Sequence, residues 1–515
     1  MRPCPLLVAL LLAGAAAPLT AQAPPSNLYL PINSWATPYV EHLIRAGVLQ
    51  GLDPLTRPLK RADVARAVAA VDTTELAESV KSNLRLLAWE LEERPDTVRW
   101  KLEANVAAQG ASDPSRWTVT PARENTGVFY QGGLTASFEF PHVALVTSPY
   151  FDTRLTRDPE FAGKKNRFIA GDNAEAYVLA SWKYFDVFFG IEPQNWGPPE
   201  VQGLILSNSP YPYDYFMVRL GPRRFRLEML ATQLDNVQMW DSGALSKRFL
   251  SVHRLIVTPS DRLAFSLSEA ALYSEQGAPY RGFEPWFLNP VNLWVLPNFN
   301  YVGSVNSLWA GDVSYGFRNG VRIAGQLYAD DIRVDKSTPT KPEKPEQLGY
   351  TFSVTGGLRH GAASWSAFYT RVDNLDYRTQ ANEEQYTVHG VGLARANDDY
   401  DQWTARLTTA PSTRALVSGE VTYLRQGQGS ILTRFPAPAL WSDSLMFLTG
   451  VVERTLRVAA QANWTPAPGI NLSTDIGRHF IWNANHVKGV RGDRWVWRMR
   501  AEIRRRITGG VRWKD

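Results

Sequence analysis

The sequence is nearly without cysteine. Cys4 is the only one among 515 residues, and it precedes the apolar run of an N-terminal export signal, where a lipoprotein cysteine would not lie. Once that signal is removed, the mature chain has no disulfide, no thiolate nucleophile and no cysteine for a lipid anchor. Long apolar runs are missing as well. After residue 23 there is no stretch of eighteen or more apolar residues, which excludes a spanning helix, so any membrane crossing must be made by strands. Charge of one sign is in small excess, +5 overall, which says little until the arginines are placed. The length would ordinarily suggest three or more domains, yet no obvious linker divides the chain.

Patterns that carry chemistry are also absent. The seven histidines, at 42, 142, 253, 360, 389, 479 and 486, form no HExxH and no close ligand spacing. His142 is followed by Val143 and Ala144 where a His-x-Ser arrangement would be needed for a barrel phospholipase. Asp330-Asp331 supplies half of an omptin-type protease site, but the sequence contains no Asp-His pair. No catalysis, cofactor, metal or nucleic-acid partner is expected.

What is present points to an envelope. Residues 1–23, MRPCPLLVALLLAGAAAPLTAQA, read as a signal peptide: Arg2 gives the positive start, Leu6 to Ala17 the apolar run, and Ala21-Gln22-Ala23 a small-residue cleavage pattern. Aromatics are abundant, with 18 Trp, 20 Tyr and 22 Phe, as suits a protein with wet and apolar boundaries to populate. Residues 28 to about 97 carry helical periodicity, with Tyr39, Val40, Leu43 and Ile44 on one face. They predict a periplasmic unit of three or four helices within residues 24–98, closed by Pro95.

From Arg99 onward the period changes to two. Val313, Tyr315 and Phe317 lead into Arg318-Asn319-Gly320 and out through Val321 and Ile323, and Asn-Gly is a strong hairpin signal. Further short turns fall at 140–142, 221–224, 258–261, 359–363, 410–413 and 465–469. Long connections alternate with them, at 153–172, 193–213, 273–308, 332–349, 373–401 and 425–452. Short turns alternating with long loops describe a transmembrane outer-membrane β-barrel over residues 99–515. Strand starts fall near 99, 128, 142, 173, 185, 214, 225, 249, 262, 309, 321, 350, 364, 402, 415, 454, 470 and 494. That makes about 18 antiparallel strands, with both barrel ends on the short-turn side. The pattern of 249–257 fits either face, and 373–401 has room for an extra pair.

The run RWVWRMRAEIRRR at 494–506 shows what each face carries. Trp495, Trp497, Met499 and Ile503 alternate with Arg498, Arg500, Arg504 and Arg506, so the first set faces lipid and the second the lumen. Lumen arginines either attract anions or pair with Asp and Glu across the strands. The loops 191–216 and 283–301 are rich in aromatics, amides and prolines. In them Trp196, Trp286 and Trp294 either stack on sugar rings or wedge the loops into place, while Arg498, Arg500 and Arg504 would attract acidic groups.

The motifs NWGPP at 195–199, LILSNSPYP at 204–212, RGFEPWFLNPVN at 281–292 and DVSYGFRNGVRIAGQLYADD at 312–331 resemble the capsule-assembly Wzi family. The resemblance implies an outer-membrane barrel with a periplasmic helical portion that holds exported polysaccharide at the cell surface as a lectin, not an enzyme. Residues 33–71 resemble a single S-layer-homology module, which implies contact with peptidoglycan or other periplasmic envelope components through residues 28–97. The expectation is a monomer in outer-membrane lipid that binds capsular or exopolysaccharide. The alternative is a porin-like channel for anionic or sugar solutes.

Overall fold

The computed structural model describes residues 26–511 except 93–95, 114–125, 276–281, 283, 293–304, 332–344, 359, 438–439 and 442–446. Residues 1–23, read above as an export signal, Pro95 and Trp294 therefore fall outside the described residues. Eighteen antiparallel strands make one closed barrel: β1 Val98–Ala111, β2 Gly127–Glu139, β3 Val143–Asp152, β4 Ala170–Trp182, β5 Phe185–Ile191, β6 Tyr215–Leu220, β7 Phe225–Gln233, β8 Arg248–Ser260, β9 Leu263–Ser274, β10 Val305–Gly316, β11 Arg322–Asp331, β12 Gln347–Leu358, β13 Ala363–Val372, β14 Tyr400–Thr409, β15 Ala415–Gln426, β16 Glu453–Ala467, β17 Ile470–Trp482 and β18 Arg494–Val511. Each strand pairs with the next, and β18 closes the ring on β1 from Arg498↔Ala111 to Val511↔Val98. Every start lies within four residues of its predicted position.

Period two sorts the side chains as the sequence suggests. On β18, Trp495, Met499 and Ile503 are exposed on the outer wall, whereas Arg498, Arg500, Arg504 and Arg506 point inward. Trp497 is half-buried because it lies over Gly110 of β1, where a Cβ would come within 3.0 Å of its ring. On β16, Val458 and Trp464 are exposed outside, and Arg457 is buried inside. The β10–β11 hairpin turns on Gly320 at φ +83, a conformation that favours glycine, and Phe317 N–H donates to Val321 O at 2.7 Å.

Among the described residues, three helices precede the barrel: α1 Thr37–Arg45, α2 Arg61–Ala69 and α3 Glu78–Leu91. Their apolar faces meet in one core that includes Val40, Leu43, Val64, Leu84 and Leu87, and that core extends onto Ala410 and Leu416 at the short-turn end of the wall. The helical unit is therefore seated in that mouth of the barrel. Tyr39 Oη donates to Arg414 O at 2.7 Å, and His42 Nδ1 lies 2.8 Å from Ser364 Oγ on β13. Gly357 of β12 faces α1 so closely that a Cβ would lie 2.3 Å from Ala46 O.

Two titratable groups tie this seat to pH. Burial alone would raise the Glu90 carboxyl, but Arg61, 3.2 Å away, and Arg506 of β18 outweigh it and hold the pKa at about 2. Burial, aided by the charge of Arg45, pushes His42 down to about 4. The contribution of Glu90 is present above the ordinary carboxylate pKa of 4.5 and is lost as pH falls toward 2. His42 is neutral when seated, so the unseated state gains a proton first and stability falls between 6.5 and 4. Limited proteolysis of the helical unit should accelerate as pH drops from 7 to 4. His42→Gln should flatten the upper part of that profile. Glu90→Gln should weaken the seat already at neutral pH, by about 3 kcal/mol, the scale for stripping one partner from a buried ion pair.

Candidate functional site

The lumen is filled from both ends. From the helical side, Thr56–Arg57 pairs with Asn195–Trp196 of the β5–β6 connection in a two-stranded sheet. From the long-loop side, the β5–β6 and β13–β14 connections fold inward and hold one another. Tyr377 Oη donates to Leu204 O and Tyr386 Oη to Ile205 O, each at 2.7 Å, and Ser207 N–H donates to Leu393 O at 3.0 Å. Gln326 of β11 fastens the assembly to the wall: Leu204 N–H donates to its Oε1 at 2.6 Å, and its Nε2 donates to Trp196 O at 3.0 Å. Within 373–399 there is a further strand pair, Thr387–Val388 with Val391–Gly392, but it lies inside the loop and adds nothing to the wall.

Between these fillings and the wall remains a cavity of about 830 Å³, lined by nine cationic and seven carboxylate side chains with many amides and hydroxyls. Arg498, Arg500 and Arg504 all line it. Each of the three meets a carboxylate. Arg498 is 3.1 Å from Asp475, Arg500 is 3.5 Å from Glu502, and Arg504 is 3.5 Å from Glu103 with its guanidinium over the Trp35 ring at 4.9 Å. Arg500 also donates to Gln131 at 2.6 Å. The cross-strand pairing weighed for these arginines is thus present for Arg498 and Arg504, while Arg500 pairs along its own strand, and these contacts offset much of their pull on an anion.

Arg395, on the inward-folded β13–β14 connection, differs from these three. It is only 4 % exposed, yet its donors go to neutral oxygens: Tyr400 Oη at 3.2 Å, Thr351 Oγ1 at 3.1 Å and Thr370 Oγ1 at 3.3 Å. Its Nε has no hydrogen-bond partner among the described residues, and no carboxylate forms an ion pair with it there. Arg395 also lines the cavity. A buried guanidinium without a counter-charge is costly, so an anion entering the cavity would be favoured beside it. Sequence reading missed this residue because ARAND at 394–398 has neither strand alternation nor a motif; only the folded loop brings it against β12 and β13.

The three tryptophans fare differently. Trp196 is fully buried, and Arg254 of β8 lies over its ring at 5.0 Å while donating to Leu55 O and Thr56 Oγ1, both at 3.0 Å. It is a packing residue and offers no open face to a sugar, because the inward fold of its loop buries it. The described part of 283–301 lies against the outer wall of the barrel. There Phe287 of the turn Pro285–Leu288 is buried, stacked on Tyr273 at 4.3 Å, and Phe249 joins the same cluster. This covering explains why 249–257 fits either face: Phe249, Ser251 and His253 point outward but are buried. The side chain of Trp286 and the whole of Trp294 lie outside the described residues. Aromatic rings that do line the cavity include Trp35, Tyr150 and Tyr211.

Replacing Arg395 by methionine should remove the anion-favouring feature without an unfolding penalty, since it relieves an uncompensated buried charge. The expected outcome is an unchanged or slightly higher melting temperature with at least about tenfold weaker binding of an acidic sugar, read by calorimetry on detergent-purified protein.

No protein-family model and no curated protein matches the sequence. Among solved structures, the chain is similar to Wzi of Escherichia coli, an outer-membrane protein involved in group 1 capsule assembly and a carbohydrate-binding β-barrel. That match has a TM-score of 0.59 at 14% identity, over 96% of this chain and 100% of Wzi. OprD of Pseudomonas aeruginosa aligns at a TM-score of 0.45 and 10% identity, over 80% of this chain and 94% of that one. At such identities the likeness is one of fold, and the fold it shows is the closed outer-membrane barrel of 18 antiparallel strands.

Proposed function

We propose that this chain binds and organises a surface polysaccharide, capsular or exopolysaccharide, in the outer membrane and without covalent chemistry. The observation that carries the reading is a lumen filled from both ends around a polar cavity whose wall includes the uncompensated Arg395. A cavity of about 830 Å³ suits a few sugar residues. Amides and hydroxyls on its wall suit their hydroxyl groups, and Trp35, Tyr150 and Tyr211 suit their C–H faces. The carbohydrate binding of Wzi is consistent with this role. The exposed side of the helical unit, where the pairs Arg66–Asp63 and Arg85–Glu78 face solvent, would make any contact with peptidoglycan or another envelope component.

The porin-like alternative requires a continuous aqueous path, and inward-folded loops bonded to one another and to the helical unit work against one. Two measurements separate the readings. A strain lacking the protein should lose surface-retained polysaccharide while total polysaccharide stays constant, and purified protein in a planar bilayer should show no steady ohmic conductance. Unchanged retention together with stable conductance would establish the channel instead.

A further inference from the structure

The cross-strand register places an aromatic row and a charged row side by side on the outer wall of β12–β17. Phe352, Tyr369, Trp403, Tyr423, Leu456 and Phe480 are successive Cα partners from strand to strand. All six belong to the outward set, with Trp403 and Phe352 at least half exposed. One register step nearer the long-loop end, the successive partners are Tyr350, Arg371, Asp401, Arg425, Arg454 and Trp482, and Trp482 bridges on to Arg491. Two residues of strand rise about 6 Å, and less along the normal of a tilted barrel. The charged row therefore sits a few ångströms outside an aromatic girdle, where headgroups begin.

The row holds four arginines and one aspartate. Arg371 pairs with Asp373 at 2.7 Å, and Arg425 pairs with Asp401. Arg454 and Arg491 are exposed and have no carboxylate partner among the described residues, and the guanidinium of Arg491 lies over the Trp482 ring at 5.1 Å. Arg425 and Arg454 face each other directly across β15 and β16. Asp401 holds the guanidinium of Arg425, so this facing pair leaves the charge of Arg454 without a counter-charge among the described residues. Arginine is also the side chain best matched to phosphate, through paired N–H donors.

We infer that this row is a binding site for the phosphorylated headgroup of an outer-leaflet lipid, with Arg454 and Arg491 as its free donors and the aromatic row beneath as the seat for its acyl chains. The inference stands on the outer wall and is independent of the lumen reading. The aromatic row supplies the second half of the argument, because a soluble anion would have no use for it. A lipid has phosphate and acyl chain at the spacing that the two rows present.

The test uses the full-length protein in detergent, titrated with lipid A carrying both phosphates and with the same lipid dephosphorylated. Binding is read by native mass spectrometry, and folding by heat-modifiable gel mobility. Wild type should bind the phosphorylated form at least about tenfold more tightly. Arg454→Gln with Arg491→Gln should abolish that preference while gel mobility stays as in wild type. Arg223→Gln, at the short-turn end, should leave it intact. Equal binding of the two lipids by wild type, or a double variant as selective as wild type, would overturn the inference. Displacement of bound lipid A by a soluble acidic polysaccharide would overturn it too, since the row would then serve the polymer.

Discussion

The structure depends on ring closure, in which β18 pairs with β1 over the full length of the first strand. In hydrocarbon no water is available to a backbone N–H or C=O, so a sheet with a free edge could not remain there. Closing the ring removes the edges, and it also removes freedom of register. A slip of one residue at the seam would turn Trp495, Met499 and Ile503 into the lumen and four arginines into lipid. The same constraint that satisfies the backbone thus decides which side chains meet fatty acyl chains and which meet one another inside.

Charges sent inward must then be compensated in a space with little water. Arg457 lies between Glu420 and Asp475, and Glu228 is shared by Arg219 and Arg226 at 2.9 Å each. An eighteen-strand ring is wider than wall side chains can fill, so the chain folds its own segments into it. Arg254 shows how wall and filling are joined: it is fully buried, reaches Leu55 and Thr56 of the helical unit, and covers Trp196 of the inward loop. The helical unit's apolar core is completed by Ala410 and Leu416 of the barrel, which makes the seat part of the core.

Much of this was legible in the sequence, because strand alternation and turn length are local properties. The ladder of starts, the parity of the ends and the facing of the 494–506 run all follow from period two and short turns. What was not legible depends on where long loops go. Trp196 reads equally as platform or wedge until the Tyr377 and Tyr386 hydroxyls are seen holding its loop inside the barrel. The apolar character on both sides of 249–257 looks like an indecisive strand until Phe287 is found covering its outer face. The arginine row on the outer wall also escaped notice. Arg371, Arg425, Arg454 and Arg491 are scattered over 120 residues of sequence, and only cross-strand register aligns them.

The contrast between Arg457 and Arg395 separates two uses of a buried charge. Arg457 is held by two carboxylates and joins them into one buried network with Arg406 and Arg498, so its role in the fold is sufficient account of its place. Arg395 is equally buried but is given only the hydroxyls of Tyr400, Thr351 and Thr370, which orient a guanidinium without neutralising it. A neutral side chain in that position would leave the fold at least as stable, because desolvating an unpaired guanidinium is a net cost. The hydroxyl cradle therefore makes physical sense as preorganisation: it keeps donors fixed on the wall of a polar cavity, and the missing negative charge comes with whatever enters.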